Sequence, residues 1–332
     1  MQFQDMIGQS TLIAHIKHSI DKGRVVHAYI ISGEKGSGKK MLAFILAKAM
    51  NCRSSGERPC DACPSCIQFN TENHPDMKIL TPIKSKILIE QVRELQKDIY
   101  IKPYEAGKKV YIIENAESMT DQAQNCLLKT LEEPPASGIL ILLTARLEGL
   151  LPTIRSRCQL LKLGRVSRDS LRSFLIEKKG LEAEKAVLIA RLSDGLVGNA
   201  LNLATSADFF SERELVLQTV EKIVTGNYLF ALTSYKFFEE RKNNIEAVLD
   251  MMQGWFRDLL VWKETRQSDL LINCDRKDIL DRLSSLFTLT SIQDIIERIS
   301  LGKKGLKQNA NLQLTMESLL LKIVEDKQKC SL

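Results

Sequence analysis

Short apolar runs alternate with helix-spaced apolar positions through the first half of this 332-residue chain. A short apolar run bounded by turn residues is typical of a buried strand, and apolar positions three and four residues apart are typical of a helix. The predicted strands are Ala28–Ile31, Met77–Leu80, Val110–Ile113, Ile139–Leu143 and Gln159–Leu163. The predicted helices are Met41–Met50, Ile89–Tyr100 and a segment capped by Thr120 that ends before Pro134. This alternation predicts an α/β domain with a parallel sheet covered by helices.

Beyond about residue 165 the strand-like runs give way to amphipathic helical segments. Ser167 is predicted to cap one of them, and Gly195–Gly198 separates two others. We therefore predict three regions, which are an α/β domain over 1–165 with an inserted loop at 52–66, a small helical lid over 166–207 and a larger helical domain over 208–332.

The composition limits the class of protein without deciding its partner. Hydrophobic residues make up 44% and charged residues 27%, a globular balance. We find neither an apolar run of membrane-spanning length nor a charged-then-apolar leader, so we predict a cytoplasmic protein without membrane contact. The net charge is +6, with lysine pairs at Lys84/Lys86, Lys108/Lys109 and Lys303/Lys304. Such a charge is compatible with nearby nucleic acid or with an ordinary solvated face.

The segment after the first predicted strand is a phosphate-binding loop with one altered position. Residues 33–40 have the sequence GEKGSGKK, whereas the pattern G-x-x-x-x-G-K-[ST] requires a final hydroxyl to hold Mg²⁺. Gly33, Gly36, Gly38 and Lys39 are retained, but Lys40 is a cation without an acceptor for a metal. The strand-loop-helix context favours a nucleotide site over a simple Gly-Ser turn. The sequence leaves open whether nucleotide still binds without being hydrolysed.

A second part of such a site, an acidic pair at the end of a strand, is also altered. In active P-loop ATPases of this organisation the first carboxylate holds Mg²⁺ and the second polarises water. Here the corresponding positions are Glu114 and Asn115. Glu114 still has a carboxylate for a metal, but Asn115 cannot accept a proton, so the general base is missing. Because Lys40 removes the metal-binding hydroxyl and Asn115 removes the general base, the sequence predicts slow or absent hydrolysis of nucleotide.

Four of the eight cysteines are crowded into one loop. Cys52, Cys60, Cys63 and Cys66 have the spacing C-x7-C-x2-C-x2-C, which suits one tetrahedral zinc ion. Four protein ligands leave no open position, so the predicted role is structural. An iron-sulfur cluster or unligated thiols are the alternatives. The scattered cysteines are interpreted as buried or incidental residues, and they are Cys126, Cys158, Cys274 and Cys330.

Nearly the whole chain resembles the AAA+ clamp-loader family of bacterial DNA polymerase III, and within it the delta-prime group of subunits. The motifs that carry the resemblance are His27–Tyr29, the four-cysteine loop with Asn73–Asp76, the sequence LLKTLEEPP at 127–135, the sequence IRSRC at 154–158 and Asn309–Leu314. The family's ATPases have a sensor arginine where this chain has Gly198, and Thr144 occupies the other sensor position. The resemblance thus implies an AAA+ P-loop domain, a lid and an all-α collar, with a degenerate nucleotide site.

The same resemblance implies a role and partners. Arg157, in the intact Ser-Arg-Cys motif, is implied to be an arginine finger that acts in trans on a neighbouring gamma/tau ATPase. A surface arginine paired with a carboxylate is the simpler interpretation of Arg157. Gamma/tau and delta subunits are the implied partners, joined through the collar in a pentamer that places the sliding clamp on primed DNA. Leu312, Leu314, Leu319, Leu320 and Ile323 are candidates for the collar interface or for an internal core.

Two rival functions are considered. An active gamma/tau-like ATPase would tolerate Lys40, and turnover by the isolated chain would favour it. A stand-alone zinc protein that binds nucleic acid would leave the Ser-Arg-Cys motif and the collar segment without a purpose. We see no polymerase active site, so any polymerase label would come from membership in the holoenzyme alone.

Overall fold

The protein is described by a computed structural model that covers residues 1–54, 56–71, 73–105, 107–206 and 208–328. Cys330 and the end of the predicted 208–332 region therefore lie outside the described residues. The chain divides into two compact units. The first comprises Met1–Leu181 and Ser193–Asn202, and the second comprises Glu182–Leu192 and Leu203–Leu332.

The first unit is built on a parallel sheet of five strands in the order β2-β3-β4-β1-β5. The strands are β1 (Ala28–Ser32), β2 (Met77–Leu80), β3 (Lys109–Ile113), β4 (Gly138–Thr144) and β5 (Gln159–Lys162). Ile31 and Ile141 pack into one hydrophobic cluster, while Ile30 and Leu142 pack into another. Because both faces of the sheet are covered, the central strands β1, β3 and β4 are near-continuous apolar runs in the sequence, which is why these runs predicted them. The edge strands β2 and β5 are shorter and include exposed polar residues.

The helices of the first part of the chain begin at the signals that the sequence provides. They are α1 (Ser10–Asp21), α2 (Lys39–Asn51), α3 (Pro64–Asn70), α4 (Ile89–Ile99), α5 (Asp121–Glu132), α6 (Pro152–Arg155) and α7 (Arg168–Lys179). Thr120 caps α5, since its Oγ1 accepts a hydrogen bond from the Ala123 backbone N–H at 3.2 Å. Ser167 caps α7 in the same way through the N–H of Ser170. Both predicted caps are confirmed.

The rest of the chain is helical in the described residues. The helices are α8 (Ala183–Leu192), α9 (Val197–Thr205), α10 (Phe209–Thr225), α11 (Tyr228–Thr233), α12 (Tyr235–Glu239), α13 (Ile245–Thr265), α14 (Lys277–Ser284), α15 (Leu289–Lys307) and α16 (Leu312–Gln328). Short 3-10 turns lie at Phe3–Asp5, Ala116–Ser118, Leu147–Gly149, Lys242–Asn244, Ser268–Leu270 and Cys274–Arg276. The second unit has its own core around Trp255, Phe256 and Phe287. The predicted fold class, a parallel α/β domain followed by a helical region, is confirmed.

Two surface assignments need correction or refinement. Lys109 is buried, and its ammonium lies 3.0 Å from Asp98 Oδ2. It is therefore not part of a basic surface. Of the apolar positions proposed near the C-terminus, Leu319, Leu320 and Ile323 belong to the core of the second unit, whereas Leu314 is 67% exposed. Within the described residues, every helix is too short or too polar to cross a membrane.

Candidate nucleotide and metal sites

The phosphate-binding loop lies between β1 and α2, where the sequence places it. Gly36 and Gly38 have φ of +86° and +92°, a left-handed conformation that favours glycine. Gly38 directly precedes α2, so the start of this helix faces the loop, as in other phosphate-binding loops. The backbone frame of a nucleotide site is therefore intact.

Lys39 is turned back onto its own loop. Its ammonium donates to the carbonyl oxygens of Gly33 at 2.6 Å and Glu34 at 2.9 Å. Burial lowers the pKa of Lys39, while the nearby carboxylates of Glu117 and Glu34 oppose that shift. The cation that would meet the β and γ phosphates is thus engaged by backbone carbonyls.

Lys40 lies against the acidic residue at the end of β3. Its ammonium is 2.9 Å from Glu114 Oε1, a contact that rests on charge rather than on a well-aligned hydrogen bond. In an active enzyme the corresponding hydroxyl and carboxylate would share Mg²⁺. Here an ammonium neutralises the carboxylate directly, so the pair has lost both the hydroxyl ligand and the net charge that attract the metal.

The next positions are arranged as structural residues. Asn115 is exposed and adopts a left-handed conformation with φ of +49° at the start of a 3-10 turn. Thr144 is 1% exposed, and its Oγ1 donates to the carbonyl of Arg146 and accepts from the Arg146 N–H. Glu117 accepts from the N–H of Ala145 at 3.1 Å. Thr144 therefore shapes the turn after β4.

Gly198, where the resemblance implies a sensor arginine in the family's ATPases, contacts the phosphate-binding loop directly. The N–H of Gly198 donates to the carbonyl of Gly36 at 2.7 Å. A Cβ on Gly198 would lie 2.9 Å from Gly36 Cα and 3.0 Å from its oxygen, closer than packed atoms come. The absence of a side chain at Gly198 thus allows the start of α9 to pack directly on the phosphate-binding loop.

An arginine reinforces this closed arrangement. Arg165 forms a paired contact with the carboxylate of Glu34, through Nε at 2.8 Å and Nη2 at 2.9 Å. It also donates to Asp194, in the segment that leads to α9. These groups are exposed, so each ion pair contributes little by itself, but together they join the loop to that segment.

The candidate finger, Arg157, lies at the end of the short helix α6. Its Nη2 is 2.9 Å from Glu132 Oε1, and its Nη1 donates to the carbonyl of Thr153 at 3.1 Å. The side chains of Arg157 and Glu132 are 36% and 52% exposed. The structure thus brings together the Ser-Arg-Cys and Leu-Glu-Glu-Pro motifs, which are distant in sequence, in a solvent-facing pair.

The four clustered cysteines converge at the end of α2. The sulfur atoms of Cys52, Cys60, Cys63 and Cys66 all lie within 4.8 Å of one another, and those of Cys60 and Cys66 are 3.9 Å apart. Sulfur atoms around a tetrahedral zinc ion at the usual Zn–S distance are about 3.8 Å apart. Backbone N–H groups of Ala62 and Cys63 lower the pKa of Cys60 to about 6. The cluster can therefore hold a metal ion.

A buried lysine on α2 forms hydrogen bonds with residues in and around the four-cysteine loop. Lys48, on α2, is 2% exposed and donates to the Met1 carbonyl at 2.9 Å and to Asn70 Oδ1 at 2.7 Å. It also donates to the carboxylate of Asp61, which directly follows the ligand Cys60. Because buried charges persist only when paired, Lys48 and Asp61 stabilise each other.

We expect Lys48→Met to weaken metal binding by about 10- to 100-fold, the usual effect of losing a partner behind a ligand. The physical reason is that Asp61 would lose the cation that fixes it, so Cys60 would be less well placed. A chelator competition titration measures the effect. Exposed Lys97→Met is the matched control, and equal affinities in both variants would contradict this role for Lys48.

Sequence reasoning found the loop glycines, the acidic position and the cysteines, but it missed Lys48, Glu132, Arg165 and the Gly198–Gly36 contact. A lysine in the middle of the apolar helix α2 was the available signal for Lys48, since an unpaired charge is rarely buried. The other contacts join residues distant in the chain, and no local pattern marks them.

Two family models and several known proteins match this chain. The family described as "DNA polymerase III, delta subunit" matches residues 8–167, and the one described as "DNA polymerase III, delta subunit, C terminal" matches residues 207–325. The chain is 32% identical to DNA polymerase III subunit delta' of Bacillus subtilis, over 96% of each protein. It is 33% identical to the gamma/tau subunit of Mycoplasma pneumoniae, over 67% of this chain and 33% of that protein. A gamma subunit-related protein of Thermotoga maritima has 20% identity and a TM-score of 0.48, over 95% of this chain and 99% of that one.

The parallel sheet and the glycine-rich loop before α2 define a protein with a P-loop α/β fold. Together with the matches above, they place the chain more narrowly. The chain belongs to the family of DNA polymerase III delta-prime subunits. The resemblance seen in the sequence is thereby confirmed.

Proposed function

We propose that this subunit hydrolyses no ATP itself and supplies Arg157 to the ATP site of an adjacent gamma/tau subunit. The observation that carries the proposal is the contrast between two parts of the first unit. The nucleotide site is closed by internal contacts, whereas Arg157 is exposed on the Ser-Arg-Cys motif. Arg157 is thus accessible to a neighbouring subunit, whereas the chain's own nucleotide site lacks a metal-binding hydroxyl and a general base.

The loss of activity in its own site is supported by four separate changes. Lys40 replaces the metal-binding hydroxyl and neutralises Glu114, and Asn115 cannot act as a base. Lys39 is bound to loop carbonyls, and Gly198 replaces a cation with a backbone contact. Any nucleotide would have to break the contacts of Lys39 and Gly198 before it met a site without Mg²⁺ or base.

The trans role of Arg157 is supported by the weakness of the contact that now holds it. An exposed ion pair such as Arg157–Glu132 contributes at most about 1 kcal/mol, because water solvates both groups well. A phosphate with developing charge in a site from which water is excluded would be a much stronger partner. Exchange of Glu132 for a neighbour's γ-phosphate is therefore favourable once the subunits meet.

The assignment of zinc as the metal in the cysteine cluster belongs to the same proposal. Four thiolates at tetrahedral spacing, all supplied by protein, suit a closed structural zinc site. The ion would join Cys52, at the end of α2, to Cys66, inside α3. Its role is to hold a loop that has little hydrophobic core of its own.

Assembly is proposed to use the C-terminal helical region, residues 208–332, as a collar in a pentamer with gamma/tau and delta subunits. Exposed apolar side chains support this assignment, since Leu229 is 71% exposed and Leu314 is 67% exposed. Through this complex the subunit would take part in placing the sliding clamp on primed DNA. Residues 166–207 are proposed to act as the lid.

We expect the purified chain to hydrolyse ATP no faster than a protein-free blank, with or without Mg²⁺. Lys40→Thr alone is expected to restore no turnover, because Asn115 still provides no base and Gly198 no cation. A phosphate-release assay measures both. Steady turnover by the isolated chain that disappears in Lys39→Ala would instead establish the active gamma/tau-like ATPase.

A further inference from the structure

A short loop between α4 and β3 presents three large side chains to solvent. We call residues 100–105 the tyrosine loop, in which Tyr100, Ile101 and Tyr104 are exposed and Tyr104 has 86% of its surface in solvent. Because these side chains bury little apolar surface, hydrophobic packing contributes little to fixing the loop. Its position therefore depends on the polar contacts that its backbone and its other side chains make.

A buried carboxylate holds one end of the tyrosine loop. Asp76 is 2% exposed, and its two oxygens accept hydrogen bonds from the backbone N–H groups of Tyr104, at 2.7 Å, and Glu105, at 2.9 Å. Hydrogen bonds to a charged acceptor are stronger than those between neutral groups. Asp76 thus sets the position of the Tyr104 backbone.

Asp76 is connected in turn to the helix that carries one of the clustered cysteines. The backbone N–H of Asp76 donates to Nδ1 of His74 at 3.1 Å, which leaves the proton of the neutral ring on Nε2, 3.2 Å from the hydroxyl of Ser65. The ring of His74 also stacks on Phe69, with the ring centroids 4.2 Å apart. Ser65 and Phe69 lie in α3, where Ser65 directly precedes Cys66. This chain of contacts leads from the tyrosine loop to the cysteine cluster.

Glu105 makes a second connection to the same cluster. Its Oε2 accepts from Nη2 of Arg53 at 2.7 Å, and its Oε1 accepts from Nε2 of Gln68 at 2.9 Å. Arg53 directly follows Cys52, and Gln68 lies two residues after Cys66 in α3. An exposed ion pair contributes little by itself, but Glu105 is partly buried and is held by two donors at once.

Both connections end beside cysteines that belong to different segments. Cys52 lies at the end of α2 and Cys66 lies inside α3, and their sulfur atoms are within 4.8 Å of each other. A cavity of about 170 Å³ with mostly polar walls lies between these segments and Glu105, so few apolar contacts join them here. A metal ion bound to both cysteines would therefore fix Arg53 relative to α3, and with it both donors to Glu105.

We propose that a metal ion in the four-cysteine cluster fixes the tyrosine loop, through Glu105 and through Asp76, and that loss of the ion frees Tyr104 from its present position. The cluster thereby controls a surface that its own ligands do not touch. This inference rests on the proposed metal in the cluster, and it is independent of the role of Arg157.

The test measures amide hydrogen exchange in the full chain loaded with zinc and in the same chain after a chelator has removed the zinc. We expect the Tyr104 and Glu105 amides to exchange about 10- to 100-fold faster without zinc, because each loses a hydrogen bond to a charged acceptor. Amides of the central strand β4 should keep their protection. Unchanged exchange at Tyr104 and Glu105 after zinc removal would overturn the inference.

The variant Glu105→Ala removes one connection while all four cysteines remain. We expect it to retain one zinc ion per chain by mass spectrometry, while the Tyr104 amide exchanges about tenfold faster than in the unchanged chain. Glu94→Ala removes an exposed carboxylate of α4 and is the matched control, which should exchange as the unchanged chain does.

The outcomes separate this inference from the metal assignment on which it rests. Full protection of Tyr104 in zinc-loaded Glu105→Ala would overturn the inference and leave the zinc site intact. A purified chain that binds no zinc would refute the metal assignment, and the inference with it.

Discussion

Arg157→Ala is expected to slow ATP hydrolysis at the adjacent gamma/tau site by about 10³- to 10⁵-fold, the range typical of arginine fingers. The physical reason is that the guanidinium stabilises charge that develops only in the transition state, so its loss lowers the rate more than the affinity for ATP. Single-turnover hydrolysis measures the effect best in a complex whose gamma/tau subunits have alanine at their own Ser-Arg-Cys arginines. In that complex Arg157 is the remaining finger of the motif.

Two further variants serve as a matched control and as a test of the Arg157–Glu132 ion pair. Arg172→Ala removes another exposed arginine of the first unit and should leave hydrolysis unchanged. Glu132→Gln frees Arg157 from its present partner, and we expect the rate to stay the same or to rise by less than about fivefold, because the exposed pair is weak. A normal rate for Arg157→Ala in a complex of normal composition would refute the finger.

Replacing one cysteine ligand is the second change with a large expected effect. If the cysteine cluster holds the proposed zinc ion, Cys66→Ser is expected to lose it and to unfold the loop at 52–66, because structural zinc contributes about 10–16 kcal/mol of binding free energy in small zinc domains. Cys66 is fully buried in α3. In the Cys66→Ser chain, the new serine hydroxyl would therefore be buried without a strong hydrogen-bond acceptor or a metal ion as its partner. Metal analysis by mass spectrometry and limited proteolysis of the loop measure the two effects.

Cys274→Ser is the matched control, since Cys274 lies outside the cluster. It should retain one zinc ion per chain and a protease-resistant loop. Iron and visible absorbance in the purified chain would instead establish an iron-sulfur cluster. A zinc-free chain with a resistant loop would show that the four thiols are held by the surrounding contacts alone, including that of Lys48 with Asp61.

The elements and sites that the sequence predicted correctly are those defined by local patterns. Strands buried on both faces are apolar runs, caps such as Thr120 act within three residues, and the glycine-rich loop directly joins β1 to α2. The close spacing of the four cysteines indicated that one loop could bring their sulfur atoms together, and the structure shows that it does. Each of these inferences depends on few residues.

What the sequence could not predict depends on contacts between distant segments. Glu132 meets Arg157 only because α5 and α6 pack together, and Gly198 meets Gly36 across 162 positions, from 36 to 198, because α9 packs on the loop. The resemblance implied that Gly198 stands where related ATPases have an arginine, but it gave no sign that the Gly198 N–H donates to the Gly36 carbonyl. Likewise, the apolar positions of α16 could not be divided into core and surface before the packing was known.

We propose that this subunit contributes Arg157 to hydrolysis at a neighbour's site and hydrolyses no ATP itself. ATP hydrolysis should therefore be compared in complexes assembled with the unchanged chain, with Lys39→Ala and with Arg157→Ala. We predict that the Lys39→Ala complex hydrolyses ATP at the unchanged rate and that the Arg157→Ala complex loses hydrolysis at the adjacent site. Loss of hydrolysis in Lys39→Ala with full activity in Arg157→Ala would contradict the account.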